Sequence, residues 1–133
     1  MMFDKKMKFL VIGASGLVGN ALLSEAKKRG HEVTGTYFEH PLGGLQKLDY
    51  GDTGELKKII EKFTPEVILC PVGVTNVDWV EQNPQEAWKK NVLNLNTLFE
   101  TAASFDIPIA FFSTDYIFDG KSGPYPERLN LIL

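Results

Sequence analysis

The sequence predicts an α/β protein in which a doubly wound parallel sheet is covered by helices on both faces, giving three α/β/α layers. Two observations support this prediction. Short apolar runs alternate with longer segments of helical periodicity along the 133-residue chain, and such alternation favours parallel strands joined by right-handed crossovers. Three glycines, Gly13, Gly16 and Gly19, stand at the first junction between a strand and a helix, which is typical of this class.

Composition limits the possible functions. A hydrophobic content of 44% suits one packed domain or part of a larger one, and a net charge of −3 provides no electrostatic footprint for nucleic acid or an anionic membrane. Cys70 is the only cysteine and lies in an apolar run, which predicts a small buried side chain rather than a reactive thiol. The apolar run after the N-terminal lysines is too short for a signal peptide or a membrane span. We expect a cytoplasmic protein without a metal site.

The first strand is predicted at about residues 8–12, an apolar run that ends in glycine. A helix over about residues 17–29 follows, because its apolar residues recur at intervals of three and four. Basic residues fill its last turn, and Gly30 ends it. The predicted apolar stripe comprises Leu17, Val18, Ala21, Leu22 and Ala26.

The next elements follow from turn signals and periodicity. Residues 31–37 are predicted as the second strand, and His31 at its start is expected on the surface, away from any ligand. A proline and two glycines break the chain before a short third strand at residues 45–48. Asp52 or Thr53 then caps a helix with one apolar stripe, which a proline ends.

The second half of the chain repeats the alternation. Residues 67–70 form a continuous apolar run, as expected of a strand covered on both faces, and residues 71–83 are predicted as a long loop. Asn83 caps a helix that has a proline at its first position and extends to about Ser104. Residues 107–113 are predicted as the fifth strand.

The predicted strand order is 3-2-1-4-5, so a ligand crevice is expected where the order reverses, between strands one and four. The glycine turn opens a helix whose first backbone N–H groups are unpaired and carry partial positive charge, which suits a phosphate group. The spacing Gly13-x-x-Gly16-x-x-Gly19 differs from G-x-G-x-x-G, which is the commonest dinucleotide-binding motif. Its position nevertheless predicts a nucleotide phosphate site, with an ordinary strand-to-helix turn as the alternative.

Several motifs resemble those of extended short-chain dehydrogenases/reductases. They are the glycine turn, Leu48-Asp49, Thr75-Asn76-Val77-Asp78, Asn91-Val92, Ser113-Thr114-Asp115-Tyr116-Ile117-Phe118-Asp119-Gly120 and Pro124-Tyr125-Pro126-Glu127. Within that family the chain is similar to the dTDP-4-dehydrorhamnose reductase branch, which also includes the regulatory β subunit of methionine adenosyltransferase. The resemblance covers Lys8 to Glu127 and implies a Rossmann-like NAD(P)-binding domain.

The resemblance also implies a role for individual residues. Thr114 corresponds to the family's catalytic Ser/Thr, whose hydroxyl hydrogen-bonds the substrate carbonyl as charge develops on its oxygen. Asp115 and Tyr116 accompany it as substrate-binding residues for a nucleotide-sugar. The implied cofactor is NAD or NADP, and its implied contacts are Gly13, Ser15, Gly16, Leu17, Val18, Gly19, Asp49, Tyr50, Val72, Gly73 and Asn91.

Two of these roles have alternatives. Asp49, which would contact adenine, also suits a solvated turn. Asn91 lies on the apolar side of its helix, and a buried amide needs partners, so it is expected to brace the loops after strands four and five. The choice between NAD and NADP stays open, because Gly35-Thr36-Tyr37-Phe38 contains neither the usual acid nor an arginine.

One part of the family pattern has no counterpart in these 133 residues. The family's general acid is the Tyr of a Tyr-x-x-x-Lys pair, and Tyr125 is no substitute because leucine stands four positions later. Residues 1–133 are therefore expected to form an incomplete domain without the catalytic helix and substrate domain. In one interpretation it is the NAD(P)-binding portion of a reductase that transfers hydride from NAD(P)H to a 4-keto sugar nucleotide, inactive as written. In the other it is a non-catalytic nucleotide-binding or regulatory module similar to the β subunit.

The fifth strand carries a further expectation. In a complete fold of this kind its apolar residues would be paired on both sides and covered on both faces, whereas the sequence supplies no sixth strand. Unpaired backbone on an apolar strand is a template for association. We therefore expect that the chain associates with itself through this edge, aggregates, or folds its Leu131-Ile132-Leu133 tail over the gap.

Overall fold

The computed structural model describes residues 5–114 and 118–126. Its parallel strands form one five-stranded sheet in the order β3-β2-β1-β4-β5, which confirms the predicted order and fold class. Because the order reverses between β1 and β4, the loops that follow these strands separate and leave a crevice. The strands are β1 (Lys8–Val11), β2 (Glu32–Tyr37), β3 (Gln46–Lys47), β4 (Val67–Cys70) and β5 (Ile109–Phe111).

The helices begin and end at recognisable signals. The Asp52 side chain accepts a hydrogen bond from the Glu55 backbone N–H (3.1 Å) and so caps the second helix. Thr64 ends that helix in the left-handed region, with φ 52°. A π-helical segment, Lys89–Leu93, joins the last two helices without a break. The helices are α1 (Leu17–Lys28), α2 (Thr53–Phe63), α3 (Val77–Gln82), α4 (Pro84–Trp88) and α5 (Asn94–Ser104).

Among the described residues, two apolar clusters hold the layers together, one on each face of the sheet. Alternate side chains of one strand point to opposite faces, so Leu10 joins the cluster formed with α2 and α5, whereas Val11 joins the cluster formed with α1. In β4, likewise, Ile68 belongs to the cluster with α2 and α5, whereas Leu69 packs against the cluster with α1. Coverage of both faces explains why residues 9–11 of β1 and the whole of β4 are continuously apolar in the sequence.

The predicted apolar stripe of α1 was partly wrong. Leu22 and Ala26 pack in the core as predicted, whereas the apolar residues nearer the start of the helix do not. The buried residues of α1 are Gly19, Leu23 and Ala26, whereas Leu17 is 92% exposed. The close approach of Gly19 to the turn after β1 fixes the rotation of the helix, because a Cβ added at Gly19 would lie 2.1 Å from the Gly13 carbonyl oxygen. This contact directs Leu17, Val18 and Ala21 away from the core.

The predicted loop over residues 71–83 was partly wrong, because it contains α3. The Asn76 side chain caps this short helix by accepting a hydrogen bond from the Trp79 backbone N–H (2.9 Å). Asn83 precedes α4 as predicted but does not cap it with its side chain. Its amide instead donates to the Trp79 carbonyl oxygen (3.0 Å), which links the end of α3 to the start of α4.

His31 is half-buried rather than a simple surface residue. Its Nδ1 accepts a hydrogen bond from the Met7 backbone N–H (3.2 Å), and its ring packs edge-on against Phe9. These contacts hold the start of β1 to the start of β2, at the end of the sheet opposite the glycine turn. Within the described ranges, no helix combines the length and apolar character that crossing a bilayer needs.

Candidate functional site

The turn after β1 brings backbone groups together at the start of α1. Gly13 has φ +71°, and its N–H donates to the hydroxyl of the buried Thr36 (3.3 Å). The Gly16 N–H donates to the Gly13 carbonyl oxygen (3.2 Å), and Gly16 itself is the N-cap residue of α1 without a side-chain cap. The first turn of α1 contains no acidic residue. Its orphan N–H groups and the positive end of the helix dipole are therefore available to an anion.

Gly16 differs from its neighbours in the turn because the fold does not require a glycine there. A Cβ added at Gly16 would meet only the Gly13 carbonyl oxygen at 3.5 Å, an ordinary contact distance, and φ is −76°. A Cβ added at Gly13, by contrast, would lie 2.6 Å from Val72 Cγ1. The space beside Gly16 belongs to a cavity of about 270 Å³ that Gly13, Ser15 and Gly16 line. The turn therefore fits a dinucleotide pyrophosphate, which must approach the backbone closely.

This cavity is the middle of a groove along the carboxyl ends of the strands. On one side it shares Phe38, Glu39, Tyr50 and Lys90 with a cavity of about 300 Å³. On the other side it shares residues 71–74 with a cavity of about 520 Å³. The three cavities together connect the loops after β1, β2, β3, β4 and β5, which is the place where the strand order predicted a ligand.

Asp49 and Tyr50 lie together in the cavity at the β3 end of the groove. Asp49 is exposed, and its carboxylate accepts a hydrogen bond from the Gly51 N–H (2.9 Å), as in the solvated turn that was the alternative. The Tyr50 hydroxyl donates to the Lys90 carbonyl oxygen (3.2 Å). Burial raises the pKa of Tyr50 to about 12, with further contributions from Cys70, Asp49 and Glu39.

Thr114 lines the cavity at the β5 end, together with Val18, Val72, Gly73 and Asn91. The Asn91 side chain holds the backbone of Val74 at two points. Its Oδ1 accepts from the Val74 N–H (2.7 Å), and its Nδ2 donates to the Val74 carbonyl oxygen (3.0 Å). Asn91 therefore braces the loop after β4, as the alternative interpretation predicted for that loop, and it also borders the groove.

Several residues that border the groove were not among the predicted site residues, and Phe38, Glu39 and Lys90 are three of them. Lys90 Nζ lies 3.6 Å from a Glu39 carboxylate oxygen and 3.6 Å from a Glu86 carboxylate oxygen. It also lies 5.2 Å from the centre of the Trp79 ring. Glu39 directly follows Gly35-Thr36-Tyr37-Phe38, the segment that lacks the usual acid. No local pattern marks Lys90, because the fold alone brings it to Glu39.

Two predicted substrate residues, Asp115 and Tyr116, lie outside the described residues. Tyr125 lies in the described segment 118–126, where its ring stacks on Phe118 and its hydroxyl donates to the Asp119 carboxylate. The same hydroxyl accepts from the Ser122 N–H (3.2 Å). Across residues 5–114 and 118–126, no group of three or more His, Cys, Asp or Glu side chains could hold a metal ion.

Comparisons with known proteins place this geometry in a family. A family model described as the RmlD substrate binding domain matches residues 7–130. The methionine adenosyltransferase 2 subunit beta of Xenopus tropicalis is 33% identical over 127 residues, which are 92% of this chain and 38% of that protein.

Solved structures have the same fold. A hypothetical dTDP-4-dehydrorhamnose reductase from Sulfolobus tokodaii superposes with a TM-score of 0.81 at 34% identity, over 94% of this chain and 45% of that one. The dTDP-4-dehydrorhamnose reductase of Bacillus anthracis, in complex with NADP, has a TM-score of 0.76 at 19% identity, over 89% of this chain and 40% of that one. The latter likeness concerns the fold alone. The chain thus spans less than half the length of each of these three proteins.

Proposed function

The chain belongs to the RmlD substrate binding domain family, and from this membership we propose that it is the NAD(P)-binding portion of a sugar-nucleotide reductase resembling dTDP-4-dehydrorhamnose reductase. The observation that carries the proposal is the groove along the carboxyl ends of the strands, with the glycine turn at its centre. The groove is long and joins three cavities, as an extended dinucleotide requires. Its middle offers backbone N–H groups and free space beside Gly16.

Each part of the groove has a distinct role in the proposal. The turn Gly13–Gly19 binds the pyrophosphate, with Ser15, Leu17 and Val18 beside it, and Asp49 and Tyr50 border the adenine end. Val72 and Gly73 line the nicotinamide end, where Asn91 fixes the Val74 backbone. The bound dinucleotide supplies the hydride for reduction. The Thr114 hydroxyl, in the same cavity, donates a hydrogen bond to the substrate carbonyl oxygen, and Asp115 and Tyr116 contact the nucleotide-sugar.

The sequence supplies no Tyr-x-x-x-Lys pair within these 133 residues. General acid catalysis contributes about 10²–10⁴-fold to reactions of this type. We therefore propose that the 133-residue chain binds the dinucleotide but reduces dTDP-4-dehydrorhamnose far more slowly than complete relatives. Oxidation of NAD(P)H with this substrate at the rate of a complete relative would contradict this part of the proposal.

A second candidate function is a non-catalytic nucleotide-binding or regulatory module. The similarity to the methionine adenosyltransferase 2 subunit beta favours it. Both candidates require the groove to bind a dinucleotide, and they differ in whether reduction follows. Adding the missing Tyr/Lys pair in trans, as the C-terminal portion of a related reductase, would restore hydride transfer only under the first candidate.

The proposal includes two further points, a cytoplasmic location and self-association of the 133-residue chain through the edge of β5. Phe111, the last residue of β5, and Phe112, which follows it, are each 45% exposed. Within residues 5–114 and 118–126, β5 pairs with β4, and no strand pairs with its other side. An apolar strand with a free backbone edge favours strand pairing between copies.

Substitution of Gly16 tests the groove directly. We expect Gly16→Val to weaken NADH binding about tenfold or more, since a side chain would fill the space that the pyrophosphate needs and each lost tenfold corresponds to about 1.4 kcal/mol. Calorimetric titration measures the affinity, and thermal unfolding checks the fold. Gly43→Val is the matched control, because Gly43 has open space around it and lies outside the three cavities. Unchanged affinity in folded Gly16→Val would refute the site assignment.

A further inference from the structure

The end of β2 directs an acidic side chain into the groove. The chain turns after Tyr37, and the next two residues, Phe38 and Glu39, line both the cavity at the glycine turn and the adjoining cavity at Asp49 and Tyr50. Glu39 therefore stands between the part of the groove that suits a pyrophosphate and the part that suits adenine. In a dinucleotide, the group between these two is the adenosine ribose.

Glu39 is held in this position by Lys90 from the π-helical segment. The Lys90 ammonium lies 3.6 Å from the Glu39 carboxylate, and its side chain is only 25% exposed, whereas that of Glu39 is 60% exposed. Glu86 and the Trp79 ring also contact the same ammonium group. The positive charge of Lys90 is therefore already shared between two carboxylates, while the Glu39 carboxylate keeps an open side toward solvent in the groove.

The charges around this part of the groove are unfavourable for an additional anion. The ionisable side chains of the cavity include three carboxylates, Glu39, Asp49 and Glu86, against two ammonium groups, Lys89 and Lys90. A phosphate monoester carries a charge of about −1.5 to −2 at pH 7. A 2′-phosphate on the ribose would meet this acidic surface, whereas a free 2′-hydroxyl would meet a hydrogen-bond acceptor.

Resting on the proposed function, we propose that Glu39, positioned by Lys90, makes this groove selective for NAD(H) over NADP(H). The Glu39 carboxylate accepts hydrogen bonds from the adenosine ribose hydroxyls and repels the 2′-phosphate. Lys90 moderates the repulsion and orients the carboxylate. In many dinucleotide-binding Rossmann folds, an acidic residue after the second strand accepts a hydrogen bond from a ribose hydroxyl. In this chain the acid follows β2 by two positions, and its partner comes from a π-helical segment.

The test is a calorimetric titration of the 133-residue chain with NADH and with NADPH, in the absence of any substrate. We expect the wild-type chain to bind NADH about tenfold or more tightly than NADPH, because charge repulsion across a few ångströms is of this order. Glu39→Gln should reduce this ratio, chiefly by strengthening the binding of NADPH. Lys90→Gln should increase the ratio, because it removes the positive charge that moderates the repulsion.

Glu61→Gln is the matched control, since Glu61 is an exposed glutamate on α2 that lines none of the three cavities. Its NADH to NADPH ratio should equal that of the wild type, and circular dichroism confirms that each variant is folded. Equal binding of the two nucleotides by the wild type, or an unchanged ratio in Glu39→Gln, would overturn this inference and leave the proposed function intact. If the folded wild type binds neither nucleotide, the proposed function fails and the inference fails with it.

Discussion

At the scale of single residues, the three glycines of the turn after β1 serve different purposes. Gly13 adopts a left-handed conformation against the Val72 side chain, and Gly19 lets α1 pack directly on the Gly13 carbonyl group. Gly16 has an ordinary negative φ and does not pack tightly against another group, so its lack of a side chain leaves space for a ligand. A substitution at Gly16 should therefore affect binding, whereas a substitution at Gly19 should affect folding.

Cys70 provides a prediction about pH and stability. Burial raises the pKa of the Cys70 thiol from its ordinary value of 9.0 to about 11, and the side chain is fully buried. Because the folded chain holds this proton more tightly than the unfolded chain does, the free energy of unfolding should fall as pH rises from 9 to 11. The loss should approach about 2–3 kcal/mol, since each pKa unit corresponds to about 1.4 kcal/mol.

Urea unfolding at pH 8 and at pH 10.5 measures this loss. The Cys70→Ala variant is the control, and its stability should decrease less between the two pH values because it retains only the other alkaline groups, such as Tyr50. Equal decreases in the two proteins would show that Cys70 does not contribute. A thiol reagent should also modify native Cys70 slowly at pH 8, because the reactive species is the thiolate.

At the scale of elements, the segment from α3 to α5 shapes one wall of the groove. A π-helical turn lies within it, and such turns are frequent at functional sites. The residues of this turn include Lys90, which contacts Glu39, and Asn91, which holds the backbone of Val74. One helical segment thereby fixes the loops after β2 and β4 relative to each other.

The Asn91 contact gives a prediction for the loop after β4. Asn91→Ala should lower the free energy of unfolding by about 1–3 kcal/mol, because the N–H and C=O groups of Val74 lose their partner. Hydrogen exchange at the Val74 amide should become faster, which nuclear magnetic resonance can measure. Asn96→Ala is the control, since Asn96 is exposed and bonds only Glu100 on its own helix among the contacts described. Its effect should stay within about 0.5 kcal/mol, and equal effects of the two variants would contradict this role of Asn91.

At the scale of the whole molecule, the sheet creates the groove and also leaves an apolar edge. The order reversal between β1 and β4 opens the groove, while Phe111 and Phe112 remain partly exposed on and next to β5 at the edge of the described sheet. Trp88 and Leu93 are exposed as well, on the helices next to the groove. Exposed apolar side chains next to an unpaired strand edge favour association between copies of the chain.

We predict that the 133-residue chain does not behave as a stable monomer. Light scattering should report a mass larger than 14.9 kDa, and Phe112→Lys should shift the population toward the monomer, because a charge at a strand edge opposes strand pairing. Leu42→Lys is the control, since Leu42 is 46% exposed, much like Phe112, but lies after β2. A monodisperse wild-type monomer that remains monomeric after deletion of residues 129–133 would show that the prediction is wrong.

Much of the fold could be predicted because its signals are local. The apolar runs of β1 and β4, the cap at Asp52 and the left-handed stop at Gly30 each depend on a few neighbouring residues. Helix α3 was missed because six residues are too few for periodicity to show. The burial of Leu17, Val18 and Ala21 in α1 was predicted wrongly, because the packing of Gly19 against Gly13, and not hydropathy, determines the rotation of the helix.

The sequence alone determined the parallel sheet, its strand order and the glycine turn, because local hydropathy and handed crossovers leave few other arrangements. The resemblance added the expected positions of Thr114 and of the cofactor contacts. Only the tertiary structure decided that Glu39 and Lys90 form an ion pair in the groove and that Asn91 holds Val74. The paired residues are 51 and 17 positions apart, and such contacts depend on the packing of whole elements, which no local pattern in the sequence specifies.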